Sequence, residues 1–101
     1  MVIMIYKQFK IAGQSIQTKI VEKLPDNEYG KFNDAKNLIE IAKTVEADGE
    51  IVELSESQLN NTWYHEVCHA FQFYFNNELD EAQAQVYANF MCELLETGKE
   101  C

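Results

Sequence analysis

The chain has little of what flexible or secreted proteins usually contain. Only one proline and four glycines occur in 101 residues, which argues against a disordered chain or one rich in linkers. Three cysteines, Cys68, Cys92 and Cys101, make an odd number without CxxC spacing. No disulfide framework is therefore expected, and a reducing, cytoplasmic location is predicted. The apolar stretch 1–6 is followed by Lys7 and is too short for a signal-peptide core or a membrane span.

Basic residues are also scarce. Eight Lys and Arg residues stand against 17 Asp and Glu residues, which gives a formal net charge of −9. Phosphate backbones are bound by clustered Lys and Arg, so this balance disfavours a nucleic-acid partner. With 47% hydrophobic residues, the chain can bury a modest core, which a bound metal would stabilise further. We expect one domain over residues 1–101 whose partner is a protein or peptide, with no nucleic acid and no membrane.

Residues 1–54 have the pattern of β-strands. Runs rich in β-branched and aromatic residues are separated by turn signals at Ala12-Gly13-Gln14 and at Pro25-Asp26-Asn27. Strands are predicted at residues 2–10, 15–23, 28–33 and 37–42. Asp48-Gly49 marks another turn, and residues 45–54 stay open between a strand and the approach to a helix.

The periodicity changes to that of a helix at Ser55. Ser55 and Gln58 fit a capping box, and the helix that they start is predicted to span residues 55–76. Apolar side chains cover most of its circumference, so the helix is expected to be buried between two layers. The remaining narrow polar stripe consists of Asn61, Thr62, His65, His69, Gln72 and Asn76.

A second helix is predicted over residues 80–97, with Asp80 as its N-cap and Gly98 just beyond its end. The short link between the two helices implies an antiparallel helical hairpin. The expected fold class is therefore α+β, with a small antiparallel N-terminal sheet of three or four strands packed on the C-terminal hairpin.

The strongest functional signal is the stretch His65-Glu66-Val67-Cys68-His69, which contains the only two histidines of the chain. Residues four apart lie on the same face of a helix, one turn from each other. Two imidazoles placed in this way can bind zinc, and the adjacent Glu66 can act as the general base that activates a water molecule. HExxH also occurs in unrelated helices, so an accidental surface pattern is the alternative.

The third zinc ligand must come from another residue type, because no third histidine exists and catalytic zinc takes three protein ligands. A carboxylate from the second helix is the common solution, with Glu81 as the first choice and Asp80 or Glu78 as weaker candidates. In a simple hairpin that turns near residue 78, Glu81 would lie up to about 9 Å along the helix axis from His69. Gln85 would be better placed, but a neutral amide is a poor zinc ligand.

Other chemically capable side chains are better explained by packing. Tyr64 and Tyr74 could stabilise an oxyanion, but both fall on apolar faces of the first helix. Trp63 is expected to anchor this helix to the sheet. Cys68 lies inside the motif and points away from His69, which favours a small buried thiol over a ligand.

The segment from Tyr29 to Thr97 resembles the short metallopeptidase-like proteins of prophages and other mobile elements, which are related to the ImmA/IrrE group of zinc peptidases. The resemblance rests on Tyr29-Gly30-Lys31-Phe32, Asn37-Leu38-Ile39-Glu40-Ile41-Ala42, Leu54-Ser55-Glu56, Thr62-Trp63-Tyr64-His65-Glu66-Val67-Cys68-His69-Ala70, Leu79-Asp80-Glu81 and Tyr87-Ala88-Asn89-Phe90-Met91.

This resemblance implies a minimal zincin-like arrangement in which a small sheet packs on a helical hairpin. It also implies that His65 and His69 are zinc ligands, that Glu66 is the catalytic glutamate and that Glu81 is the third ligand. Such proteins often carry another acid one turn later, where this chain has Gln85. ImmA-type members cut repressor proteins, so the implied substrate is a protein.

Motif and resemblance together predict a minimal zinc-dependent metallopeptidase that hydrolyses a peptide bond. The alternative is a non-catalytic regulatory or protein-interaction module of a mobile element, in which the zinc site is structural or vestigial. A helical-hairpin interaction module without metal is the third interpretation.

Overall fold

A computed structural model describes residues 5–76 and 78–101, and it confirms the α+β class. The strands are β1 (Gln8–Ile11), β2 (Gln14–Val21), β3 (Gly30–Asn33), β4 (Leu38–Ala42), β5 (Thr44–Ala47) and β6 (Glu50–Glu53). The helices are α1 (Glu56–Phe71), which continues as a π-helical turn over Gln72–Asn76, and α2 (Glu81–Thr97). The part of the first predicted strand that falls on residues 2–4 lies outside the described residues.

The main sheet has four strands in the order β1-β2-β4-β3. The β1–β2 and β3–β4 pairs are antiparallel, as predicted, but β2 and β4 are parallel. The expectation of an entirely antiparallel sheet is therefore wrong for this central pair. The physical reason is the long connection 22–29, which includes a 3-10 turn at Pro25–Asn27. This connection is long enough to leave a gap of one strand next to β2, so β3 becomes the edge strand. The chain then turns back, and β4 fills the gap between β2 and β3.

Residues 44–53, most of which the sequence pattern left open, form a second, two-stranded sheet. β5 and β6 pair antiparallel, and the predicted turn at Asp48-Gly49 has φ values of 53° and 78°, which suit a tight hairpin turn. The side chain of Asn27 pairs with the backbone of Glu46 in both directions, at 2.9 Å and 2.7 Å. This pairing holds the connection 22–29 against the second sheet.

Both helices begin as the sequence predicts. Ser55 and Gln58 form the full capping box of α1, and the side chain of Asp80 accepts a hydrogen bond from the backbone N–H of Gln83 at the start of α2. The link between them is short, and the helices pack side by side as an antiparallel hairpin. No helix of the described residues is long and apolar enough to cross a membrane.

The core lies between the four-stranded sheet and the inner faces of the two helices. Ile16, Ile39 and Ile41 are completely buried there. Trp63 packs against them from α1, and its indole N–H donates to the hydroxyl of Thr18 on β2 at 3.0 Å. Trp63 therefore anchors α1 to the sheet, as expected, and turns the opposite stripe of α1 toward α2 and the surface.

Candidate metal centre

The two histidines of α1 lie on consecutive turns, with their Nε2 atoms 3.1 Å apart. Each Nδ1 contacts a glutamine oxygen at 3.0 Å, from Gln85 for His65 and from Gln72 for His69. An amide oxygen only accepts hydrogen bonds, so each Nδ1 carries the proton. In the neutral ring, Nε2 is then free to bind a metal through its lone pair.

Glu81, at the first turn of α2, reaches both histidines. Its carboxylate oxygens lie 3.2 Å from Nε2 of His65 and 2.7 Å from Nε2 of His69. The axial offset expected between Glu81 and His69 is absent, because the hairpin register is centred near residue 75 rather than 78. The facing pairs Asn61–Asn89, His65–Gln85 and His69–Glu81 define this register.

These three side chains form a group that could hold a metal ion, and their ligand atoms all lie within 4.8 Å of one another. The shortest distances between these ligand atoms are 2.7–3.2 Å. In a tetrahedral site with metal–ligand bonds of about 2.0 Å, two ligand atoms lie about 3.3 Å apart, so the observed spacing is slightly tighter. The side chain of Glu81 is 78% exposed, so one side of the group is open. Catalytic sites keep such an open position. The weaker candidate Asp80 caps α2 instead, and Glu78 is exposed outside the group.

Gln72 connects His69 to the start of α2. Its side chain is completely buried, and its Nε2 donates to the backbone oxygen of Asp80 at 3.2 Å and to Oε1 of Gln83 at 2.7 Å. Its Oε1 accepts from the backbone N–H of Asp80 and from Nδ1–H of His69. One amide thus fixes the ring of His69 and the backbone next to Glu81 together.

Gln85 plays the corresponding part for His65 at the surface. Its Nε2 donates to the side-chain oxygens of Asn61 and Asn89, at 3.0 Å and 2.9 Å, which leaves its Oε1 for Nδ1–H of His65. Gln85 is therefore not among the three converging ligand side chains. It orients one of them from behind through a neutral hydrogen bond.

Glu66 is buried next to this group, with 7% of its surface exposed. Burial raises the pKa of Glu66 to about 6, although His69 and His65 lower it, and the negative charges of Glu81 and Glu28 raise it further. Glu66 therefore lies close enough to His69, His65 and Glu81 for their charges to affect its pKa. Burying a carboxylate in this way is costly, because the charged form loses its hydration.

Gly30, the first residue of the edge strand β3, lies directly over α1 at this point. A Cβ atom there would be 2.6 Å from Cγ2 of Thr62 and 3.1 Å from Cγ of Glu66, so only glycine allows this approach without displacement. Between β3 and the helices lies a cleft of about 700 Å³ that His65, Glu81 and Gln85 line from one side. Glu28, Tyr29 and Gly30 line it from the other.

The other reactive side chains lie away from the group. Tyr64 is buried and its ring contacts Trp63, and the hydroxyl of Tyr74 donates to the side chain of Asn37. Both tyrosines are structural, as expected. Cys68 and Cys92 are buried, and Cys101 is exposed. Burial is the main cause that raises the pKa of the Cys68 and Cys92 thiols.

The sequence pattern placed Gln72 in the polar stripe of His65 and His69 but gave it no role. Its position three residues after His69 could have marked it as a partner of that histidine. No sequence signal placed Glu28 and Gly30 at the cleft, since that depends on the crossing from β2 to the edge strand.

No family model matches this chain, and no curated protein and no solved structure is significantly similar to it.

Proposed function

We propose that this protein is a zinc-dependent peptide hydrolase in which His65, His69 and Glu81 hold the metal and Glu66 is the general base. The observation that carries the proposal is the convergence of the two Nε2 atoms and the Glu81 carboxylate within 2.7–3.2 Å of one another. Two nitrogen lone pairs and a carboxylate directed at one point repel each other unless a metal ion, or protons on the imidazoles, lie between them. Two histidines and one glutamate are a common ligand set of catalytic zinc.

Different residues of the chain have different roles in the proposed hydrolysis. A zinc ion held by His65, His69 and Glu81 would supply a Lewis acid. Glu66 would act as the base that takes a proton from the attacking water and gives it to the leaving amine. Gln72 and Gln85 hold the two imidazoles with Nε2 directed inward. The cleft beside β3 receives the peptide, and the cysteines, none of which is paired, favour a reducing cytoplasmic setting.

Metal content and hydrolysis of the Glu66→Gln variant test this proposal. Purified protein loaded with zinc should contain about one zinc per chain and should cut peptides from a mixed peptide library, detected by mass spectrometry. Glu66→Gln should keep the zinc and lose cleavage by a factor of at least about 100. Glu50→Gln removes the same charge from an exposed strand and should leave both properties unchanged. Less than half a zinc per chain, unchanged by His65→Ala, would exclude the proposal.

A non-catalytic zinc module is the second candidate, because the ligand group joins α1 to α2. Such a cross-link between neighbouring helices is what a structural metal provides. In this case Glu66→Gln would retain both zinc and biological activity. A mobile-element regulator of this kind would bind its partner protein without cutting it.

A further inference from the structure

Two side chains on the far wall of the cleft form no ion pair, hydrogen bond or ring contact with the rest of the described residues. Glu28 is half-buried at the cleft, and its carboxylate forms no ion pair with the described residues. Tyr29 lines the same wall with 48% of its surface exposed. Its ring makes no aromatic contact and its hydroxyl makes no hydrogen bond within the described part of the chain. Two consecutive residues, one with a carboxylate and one with an aromatic ring, therefore line the same cleft.

The opposite wall makes the cleft more acidic. Residues 44–98, which include α1 and α2, contain 11 acidic residues and no lysine or arginine. Glu81 lies at the cleft, and no lysine is among the described residues that line it. In the zinc-loaded protein Glu81 would be bound to the metal, so Glu28 is the carboxylate of the cleft that stays available to a cation. No lysine or arginine among the described lining residues competes for it.

The segment that carries Glu28 is held in place before any ligand arrives. Asn27, the residue before it, pairs with the backbone of Glu46 through both atoms of its amide. The backbone oxygen of Tyr29 accepts a hydrogen bond from the N–H of Ala42 at 2.8 Å. Because the backbone on both sides of Glu28 is fixed, little ordering entropy is lost when this carboxylate binds a partner.

We propose that Glu28 and Tyr29 form a specificity subsite for a lysine or arginine side chain of the peptide substrate. This inference rests on the proposed peptidase function, and it identifies the substrate class of the same cleft. The carboxylate of Glu28 accepts charge-assisted hydrogen bonds from the ammonium or guanidinium group. The ring of Tyr29 offers its face to the same cation.

Peptide binding to the zinc-loaded Glu66→Gln variant tests the subsite without turnover. The probes are short, blocked alanine-based peptides with one arginine at each position in turn, and a matched set with the uncharged analogue citrulline. At one position or more, arginine should bind about tenfold more tightly than citrulline. Adding Glu28→Gln should abolish this preference, and adding Tyr29→Leu should reduce it. Adding Glu50→Gln, the matched control on β6, should leave it unchanged.

Three results would overturn the subsite: equal affinity for both peptide sets at every position, a preference that survives Glu28→Gln, or no binding of any peptide. Cleavage of the same peptides by the unmodified zinc protein reports separately on the proposed function. Cleavage without a preference for arginine refutes the subsite alone. Binding that prefers arginine, with no cleavage, refutes the peptidase alone.

Discussion

At the scale of single residues, the unusual feature of the candidate metal centre is that both histidines are oriented by neutral amides. Carboxylates often accept the proton of a ligating histidine, but here Gln85 and Gln72 do so. The ligand group then carries one negative charge, from Glu81, so a divalent ion in it would keep a net positive charge. That residual charge favours activation of water over simple structural binding.

Substitutions of Gln72 and Gln85 separate two effects: the orientation of the histidine rings for zinc binding and the stability of the fold. Gln72→Leu should weaken zinc binding by a factor of about 10 to 100. It should also lower the free energy of unfolding by about 1–3 kcal/mol, because buried groups at Asp80 lose their partner. Zinc titration calorimetry and urea unfolding measure the two effects.

Gln85→Leu is the matched variant for this pair. Gln85 is exposed, so zinc affinity should fall while the free energy of unfolding of the metal-free protein stays within about 0.5 kcal/mol. If Gln72→Leu lost stability and kept its zinc affinity, Gln72 would be a packing residue only.

The buried Glu66 predicts how the stability of the metal-free protein depends on pH. Its pKa is 4.5 in the unfolded chain and about 6 in the folded one, so the folded state holds the proton more tightly between these values. The free energy of unfolding should therefore decrease by about 2 kcal/mol as the pH rises from below 4.5 to above 6. Urea unfolding in the presence of a chelator measures this profile.

Glu66→Gln is the control for this dependence, because glutamine stays uncharged. The variant should lack this pH-dependent loss and should be more stable than the unmodified protein at pH 7 without metal. If the free energy of unfolding of Glu66→Gln and of the unmodified protein changed with pH in the same way, Glu66 would not have the raised pKa that its burial implies.

At the scale of elements, the close approach of β3 to α1 depends on Gly30. Gly30→Ala places a methyl group 2.6 Å from Cγ2 of Thr62, so the strand or the helix must move. We expect a loss of about 1–3 kcal/mol in the free energy of unfolding. Adding Thr62→Ser removes Cγ2 and should restore about 1 kcal/mol of it, measured as a double-mutant cycle in urea. If the effects of Gly30→Ala and Thr62→Ser on the free energy of unfolding were strictly additive, the two residues would not be in contact.

The elements also show how far the sequence reasoning could reach. The two helices and their caps were predictable because Ser55, Gln58 and Asp80 act within one turn of chain. The parallel pairing of β2 with β4 was not, since a strand pattern does not specify which neighbour a strand takes. The hairpin register was also misjudged, because the π-helical turn at Gln72–Asn76 leaves no clear periodic signal. The carboxylate of Glu81, the first choice from the sequence, nevertheless lies next to both histidines.

At the scale of the whole molecule, a chain of this length buries a limited core, so a metal that joins two helices should matter for stability. Zinc at a free concentration of about 100 times its dissociation constant should add about 2.7 kcal/mol. For a domain of this size, that raises the melting temperature by about 10–20 °C. Thermal unfolding with zinc and with chelator measures the difference, and His65→Ala should abolish it. An unchanged melting temperature would favour the interpretation of an interaction module without metal.

Residues 61–89 contain the three converging ligands and all the hydrogen bonds of Gln72 and Gln85. The opposite wall of the cleft, with Glu28, Tyr29 and Gly30, comes from a distant part of the chain. Contacts close in sequence form early during folding, because closing a short loop costs little entropy. Metal capture can therefore precede completion of the sheet. Under the proposed function, we therefore expect that a substitution that disrupts the β-rich half removes peptide selection and hydrolysis before it removes zinc binding.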